Sequence, residues 1–295
     1  MNFEIALPQT LDDAVVANEN GARWFAGGTD LIPELKSELV HTSRLVNLKR
    51  VEELRGISSG VQLDSTNDGI RIGALTTLAE IAGHETIRTK YRALAQACEL
   101  AASPQIRNVA TIGGNLAQDS RCAYFRNGFP CYLRGGDKCF MRDGENRDAA
   151  VIAYRDCAHV HPSDPANALV AFDAQIVVRG RAGERTIAAQ DFFRAPDAND
   201  TRMNVLNADE MITEIILPNV AENTRSVFVK AMERAVWTFA LVSVALRCEK
   251  RETRVENARV VFGGVAPIPY RELRVEKTLS SQEWNENLVT QGNFE

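Results

Sequence analysis

No stretch of this sequence approaches the run of about 18 apolar residues that a membrane-spanning helix needs, so membrane insertion is not expected. The opening residues, MNFEIALPQTLDDAV, lack the basic start and apolar stretch of an export signal. A cytoplasmic chain is therefore expected, with a periplasmic location open only if a signal-bearing partner exports it already folded. A basic stripe is also missing. Lys and Arg number 34 against 39 Asp and Glu, a formal charge of −5, which argues against nucleic acid as a partner. There is no internal repeat and no low-complexity segment. No Ser-His-Asp or paired-carboxylate pattern stands out, so hydrolysis finds no support. Of the four histidines, His41 and His84 sit in polar surroundings and read as surface residues. His159 and His161 follow a cysteine-rich stretch without being needed as ligands.

What is present is an ordinary globular composition, 45% hydrophobic and 25% charged. A chain of 295 residues divides into about two or three domains. Residues 1–55 read as a small α/β unit: alternating Phe3, Ile5 and Leu7, a helix from Leu11 capped by Thr10, a strand at Arg23–Ala26, a helix carrying Leu31 and Leu35, and a strand at Leu45–Leu48. Residues 56–180 form a second unit. It has a strand at Gly69–Gly73, a helix near Leu78 capped by Thr76 or Thr77, a strong helix over Tyr91–Ala102, a helix over Asp164–Ala171 and a strand at Ala174–Val178. Residues 181–295 form a third unit, with strands at Met211–Leu217, Ser226–Met232 and Ala258–Phe262. Phe239–Arg247 reads equally as helix or strand, because its apolar run is short.

Two glycine pairs carry chemistry. Ala26-Gly27-Gly28-Thr29-Asp30 joins a predicted strand to the helix that opens at Leu31. Glycine lets backbone approach a ligand closely, and the amides before a helix favour an anion such as a pyrophosphate. Thr111-Ile112-Gly113-Gly114-Asn115 offers the same chemistry 85 residues further on. Each alone also reads as a plain tight turn, and neither fits the G-x-G-x-x-G dinucleotide fingerprint.

Four of the six cysteines fall together as Cys122-x8-Cys131-x7-Cys139-x17-Cys157. Without an export signal such a cluster favours metal over disulfides. It lies in the aperiodic stretch 119–160, which is too long to stand unaided inside a compact domain. Four thiolates suit an iron–sulfur cluster or a structural zinc, and the spacing does not choose between them. Arg121, Arg126, Arg134 and Lys138 are near in sequence and available to offset thiolate charge. Cys98 and Cys248 stand apart and read as buried free thiols.

Together, AGGTDLIPELK and SPQIRNVATIGGNLAQDSR resemble the FAD-binding subunits of xanthine dehydrogenase-like molybdenum hydroxylases, a family that includes the medium subunit of carbon monoxide dehydrogenase. The resemblance continues through Ser163-Asp164, Lys230 and Arg234 in KAMER, and FGGVAPIPYR at 262–271. It implies an α+β fold: a vanillyl-alcohol-oxidase-type FAD-binding fold of two α/β subdomains, then a C-terminal α+β domain like that of carbon monoxide dehydrogenase flavoproteins. It implies that Ala26, Gly27, Gly28, Thr29, Asp30 and Leu31, with Thr111, Ile112, Gly113, Gly114 and Asn115, hold the FAD pyrophosphate, and that Asp164 and Lys230 lie near the flavin. Trp237 is expected to pack ordinarily. A subgroup of the family, including 4-hydroxybenzoyl-CoA reductase and a periplasmic aldehyde oxidoreductase, carries an insertion holding a 4Fe–4S cluster. RCAYFRNGFPCYLRGGDKCF followed by CAHVHPSDPANAL is closer to the aldehyde oxidoreductase type. That resemblance makes Cys122, Cys131, Cys139 and Cys157 the cluster ligands.

The resemblance further implies a heterotrimeric assembly. A large subunit would carry the molybdenum cofactor and the substrate site, and a small subunit two 2Fe–2S clusters. This chain would pass electrons through FAD to an acceptor, or inward in a hydroxybenzoyl-CoA reductase. Related chains continue beyond the equivalent of residue 280 with a further helix, so a short closing segment is expected here. A self-contained flavin oxidase and a zinc-bearing interaction module are the competing classes. The first lacks a visible catalytic base.

Overall fold

The computed structural model describes residues 2–19, 21–64, 67–280 and 283. Three sheets organise it. The first is parallel and three-stranded, from β1 (Glu4–Ala6), β2 (Arg23–Phe25) and β3 (Arg44–Asn47), in the order β1-β3-β2. Parallel neighbours need crossovers. The helices Leu11–Ala17 and Leu31–Lys36 supply them. Thr10 caps the first, its hydroxyl accepting from the Asp13 amide at 3.1 Å, with Asp12 and Asp13 in the first turn.

The second sheet is antiparallel, from β4 (Ile57–Asp64), β5 (Asn67–Gly73), β6 (Gln175–Gly180), β7 (Gly183–Ala188) and β8 (Met211–Leu217), in the order β4-β5-β8-β6-β7. A division at residue 180 cuts through this sheet. Read in sequence as part of the third unit, β8 lies at its centre, with Ile70 opposite Leu217 and Gln175 opposite Ile216. Six of its seven residues are buried, so both faces are covered and no alternation marks the strand as belonging to one neighbour or another.

The third sheet, from β9 (Thr224–Ala231), β10 (Val242–Arg251), β11 (Arg254–Gly263) and β12 (Tyr270–Arg271), runs in the antiparallel order β12-β11-β10-β9. The undecided run around Phe239–Arg247 resolves as strand from Val242, because β9 and β11 pair with it on both sides. Gly263 of the FGGVAPIPYR stretch faces Asn167 and Ser243 so closely that a Cβ there would overlap both side chains. The helix Leu273–Ser280 packs on β11, held by Arg271 to Glu276 at 2.7 Å. Most of the last fifteen residues, with the expectation about their closing segment, lie outside the described residues.

Between the sheets sit helices whose caps the sequence announced. Thr77 and Glu80 form a reciprocal capping box at the helix Leu78–Gly83. The helix Arg92–Leu100 presents Ala93, Leu94, Ala97 and Cys98 to the core. All eight residues of Asp164–Ala171 are buried, between Arg92–Leu100 on one side and β10 and β11 on the other. That helix joins the core of the second unit to the third.

Candidate functional site

The two glycine turns, distant along the chain, open onto one cavity of about 790 Å³. Ala26, Gly27, Gly28, Thr29, Asp30 and Leu31 line it from one side and Thr111, Gly113 and Gly114 from another. The glycines are there for steric reasons. Gly28 has φ +76°, and a Cβ on it would overlap the Phe25 ring. A Cβ on Gly27 would meet the Val109 carbonyl, and one on Gly113 would lie 2.9 Å from the Ala74 methyl. Gly27 therefore brings the first turn against the backbone preceding the second.

The turns differ in what they offer. Among the described residues, the amides of Gly27, Gly28 and Thr29 donate to no protein acceptor. Unpaired backbone donors beside a cavity are suited to an anion. In the second turn most amides are engaged: Ile112 donates to the Thr76 carbonyl and Gly113 to that of Ala74, both at 2.9 Å. Asn115 donates to the Thr111 carbonyl at 2.8 Å, Gly114 reaches the Thr111 hydroxyl at 3.3 Å, and the Thr111 amide alone donates to no protein acceptor among the described residues. The second turn is in fact the start of a short helix, Ile112–Leu116, with Thr111 as its cap. Ile112 is fully buried in the core, and Asn115 accepts a hydrogen bond from Ser163; neither lines the cavity.

Asp30 lines the cavity with its carboxylate engaged by the protein. Its carboxylate accepts from the Asp119 amide at 2.8 Å and pairs with Arg126 at 2.8 Å and Arg121 at 2.9 Å. Arg126 also reaches Glu34 at 3.0 Å. These two arginines, near Cys122 in sequence, answer carboxylates of the first unit rather than thiolates. Glu34 and Asp119 also line the cavity; both lie within the two glycine motifs, but neither was assigned a role there. Burial, with Asp119 and Asp30 close by, pushes Glu34 up to about 8, and burial and Asp30 raise Asp119 as well. The opposite wall comes from residues 201–204 and 206–208, a segment with no signal in sequence, while Leu133 and Arg134 reach in from the cysteine stretch.

Asp164 and Lys230 do meet, as a buried ion pair at 2.7 Å, but they do not line this cavity. The Lys230 ammonium also donates to the carbonyls of Thr238 at 3.0 Å and Leu100 at 3.2 Å. Burial raises Asp164 to about 6 even with Lys230 pulling the other way. Trp237 does not pack as expected: it is 66% exposed, on a residue with φ +52°.

Stretch 119–160 folds into short turns, with helices Ala123–Arg126 and Phe140–Asp143 and a 3₁₀ turn at Tyr132–Arg134. Its apolar core is small, with Cys139, Met141 and Ala158 at the centre. The C-terminal unit holds its end: Val151 donates to the Val265 carbonyl and His161 to that of Ala266, both at 2.9 Å. Cys122, Cys131, Cys139 and Cys157 are all unpaired thiols, the last three buried. Cys139 lies beside Cys157, and Cys122 is within the field of Cys131 and Cys139, but among the described residues no three Cys, His, Asp or Glu side chains form a group that could hold a single metal ion. Backbone amides point at the sulfurs: Phe125 and Tyr124 at Cys122, Ala158, Arg142 and Met141 at Cys139, and His159 at Cys157. The Cys157 hydrogen bond, helped by these amides, lowers Cys139 to about 5, while Cys157 itself is raised. His159 and His161 are buried, which lowers them to about 4 and about 3 and keeps them neutral. Cys98 is fully buried as expected, whereas Cys248 is only half-buried. Among the described residues no helix is long and apolar enough to cross a membrane.

Residues 1–220 match the family described as the FAD-binding domain in molybdopterin dehydrogenase. The chain belongs to this family. Residues 227–292 match the carbon monoxide dehydrogenase flavoprotein C-terminal domain, so the domain junction falls just after β8. The chain is 34% identical over 268 residues, 88% of its length, to the aldehyde oxidoreductase FAD-binding subunit PaoB of Escherichia coli, covering 80% of that protein. It is 27% identical to the glyceraldehyde dehydrogenase medium chain of Sulfolobus acidocaldarius, covering 97% of this chain and 84% of that one. The fold matches carbon monoxide dehydrogenase from Hydrogenophaga pseudoflava with a TM-score of 0.74 at 24% identity, over 98% of this chain and 84% of the other. The α+β architecture of an FAD-binding domain followed by this C-terminal domain is thereby established, as is membership among oxidoreductase subunits.

Proposed function

We propose that this chain is the FAD-carrying electron-transfer subunit of a molybdenum hydroxylase complex that oxidises aldehydes, and that Cys122, Cys131, Cys139 and Cys157 hold a 4Fe–4S cluster. The observation that carries the FAD assignment is the convergence of two glycine turns, one with unpaired amides, on one cavity of about 790 Å³. That volume falls within the range of roughly 300–1,000 Å³ common for small-molecule sites. FAD, when bound, exchanges single electrons with iron–sulfur centres and pairs of electrons with an acceptor. The residues' part is binding and orientation. Gly27, Gly28 and Thr29 would meet the diphosphate with their amides, and Gly113 and Gly114 would let it approach without side chains in the way.

For the cluster, the support is a set of free, mostly buried thiols with backbone amides directed at them, the hydrogen bonding that iron–sulfur sites use to set their potential. A single zinc ion asks more of the geometry, with all its thiolates about 2.3 Å from one point. A cube binds each thiolate to a different iron, and so tolerates wider spacing. The aldehyde assignment leans on the 34% identical aldehyde oxidoreductase relative. A large molybdenum subunit and a small 2Fe–2S subunit would supply the substrate site and the electrons, in the cytoplasm or in the periplasm after co-export with a signal-bearing partner.

The test is purification of the tagged chain from its native host under anaerobic conditions. Two co-purifying partners, molybdenum, one FAD per chain and about four irons on this subunit are expected. A colourless chain carrying zinc, or a yellow chain that oxidises substrate alone, would overturn the proposal.

A further inference from the structure

The cysteine stretch is part of the cavity wall, a placement its sequence gave no reason to expect. Between Cys131 and Cys139 the backbone closes on itself. Arg134 donates to the Cys131 carbonyl at 2.8 Å, Gly136 to the same carbonyl at 2.9 Å, and Tyr132 to the Lys138 carbonyl at 3.3 Å. Gly135 takes the left-handed conformation at φ +76°. Gly136 lies so close to the Pro130 carbonyl that a Cβ would not fit. The loop is therefore stiff within itself, and its two ends are buried thiols. Leu133 and Arg134, at its tip, line the same cavity as the glycine turns.

The arginines around this cavity fare differently. Arg121 and Arg126 are held by Asp30 and Glu34, and Arg202 by Asp200 at 2.8 Å. Among the described residues the guanidinium groups of Arg23 and Arg134, both in the lining, have no hydrogen-bond or ion-pair partner; Arg23 stands close enough to Asp119 to lower it, and Arg134 faces no such acid. The acids of the lining are largely accounted for. Asp30 is paired twice, Glu210 is paired with Arg185 at 2.7 Å, and Glu34 holds its proton up to about 8. An anion in the cavity thus meets an unopposed positive charge at Arg134.

We propose that the loop Cys131–Cys139 is a strap fastened at both ends by the iron–sulfur cluster, and that it presents Arg134 to the anionic part of FAD. The inference rests on the function proposed above and adds that the two cofactor sites are coupled. Besides the cysteines only a small apolar cluster anchors the loop, Cys139, Met141 and Ala158 with Tyr124, Tyr132 and Ala149 packed against them. Loss of the cluster frees the strap, Arg134 leaves the cavity wall, and FAD binds more weakly. By linkage, bound FAD must favour retention of the cluster at equilibrium to the same extent.

The experiment measures the FAD dissociation constant of the full chain by quenching of flavin fluorescence, with iron counted in every sample. Arg134→Ala should weaken FAD about tenfold, the loss of one charge-assisted hydrogen bond, with iron content unchanged. Arg134→Lys should restore part of the affinity, because it keeps the charge but not the planar fork. Wild-type protein stripped of iron by a chelator should show a similar weakening, as should Cys131→Ser if it folds. In stripped protein Arg134→Ala should cost nothing further, the signature of one interaction removed in two ways. Wild-type affinity in Arg134→Ala, or losses that add in full, would overturn the strap while leaving the FAD and cluster assignments standing. A chain that takes up neither FAD nor iron would overturn the function itself.

Discussion

The glycine-turn cavity and the cysteine stretch border each other, yet they are built on different principles. The cavity is framed by regular elements. Its turns leave β2 and enter the helices Leu31–Lys36 and Ile112–Leu116, and its shape is fixed by close approaches such as Gly113 on Ala74. The cysteine stretch has no strand and only single-turn helices over 119–160, with a core of a few side chains. One region is shaped by burial and ladders that exist without a ligand. The other has too little apolar surface to offset the entropy of ordering and relies on a cross-link through its thiols. Asp30 bridges the two, since its carboxylate meets Arg121, Arg126 and the Asp119 amide from the cavity side.

The contrast breaks most severely at Lys230. Lys230→Met leaves the Asp164 carboxyl without its counter-charge inside the scaffold, where burial drives it to take up a proton, at the joint between the helix Asp164–Ala171 and β9. A loss of about 3–5 kcal/mol in global stability by urea unfolding is expected, partly recovered in the double variant with Asp164→Asn. Iron content in the folded fraction should not change. If Lys230→Met is neutral, the joint is not part of the cooperative scaffold.

Next in size is Gly114→Val. A Cβ there meets only the Thr111 hydroxyl, at 3.0 Å, so the chain should fold. The added methyls point toward the space assigned to the diphosphate, and FAD affinity should fall about 100-fold, the upper range of overpacking effects. Retained affinity would mean that the cavity holds the dinucleotide differently.

Cys131→Ser sharpens the other side of the comparison. Iron should be lost, and cleavage within 119–160 by a trace protease should accelerate about tenfold, while the thermal midpoint of the remainder moves little. A uniform fall in stability across the chain would show the two regions to be one cooperative unit.

A further test concerns pH dependence and Glu34. Its folded pKa of about 8 lies above the ordinary 4.5, so the folded state holds a proton that the unfolded chain releases. That contribution is complete below about pH 4.5 and is lost as pH rises through about 8. Stability should decline across this window, and Glu34→Gln should flatten the profile by about 1 kcal/mol per pH unit. An unchanged slope would place the titrating proton elsewhere in the cavity.

Much was legible beforehand because it rests on local chemistry. Thr10 caps the helix it precedes, Thr77 proves the cap where Thr76 or Thr77 was expected, and Asp164–Ala171 has the bounds expected of it, since caps and proline act within one turn. The strand Met211–Leu217 was likewise visible, but not its partners, because a strand buried on both faces carries no pattern that names its neighbours. The arginines near Cys122 looked like partners for thiolates, and folding gave them to Asp30 and Glu34. Proximity in sequence does not set which opposite charge is nearest in space.

By itself, then, the order of residues determined where backbone had to bend closely and where thiols were concentrated, since glycine sterics and cysteine chemistry belong to the residue. Only the tertiary structure decided that both glycine turns share a cavity, that one of them keeps its amides free, and that Arg134 stands in the wall between thiols and cavity. Those facts depend on how sheets and helices pack across long separations, and packing is a property of the whole chain.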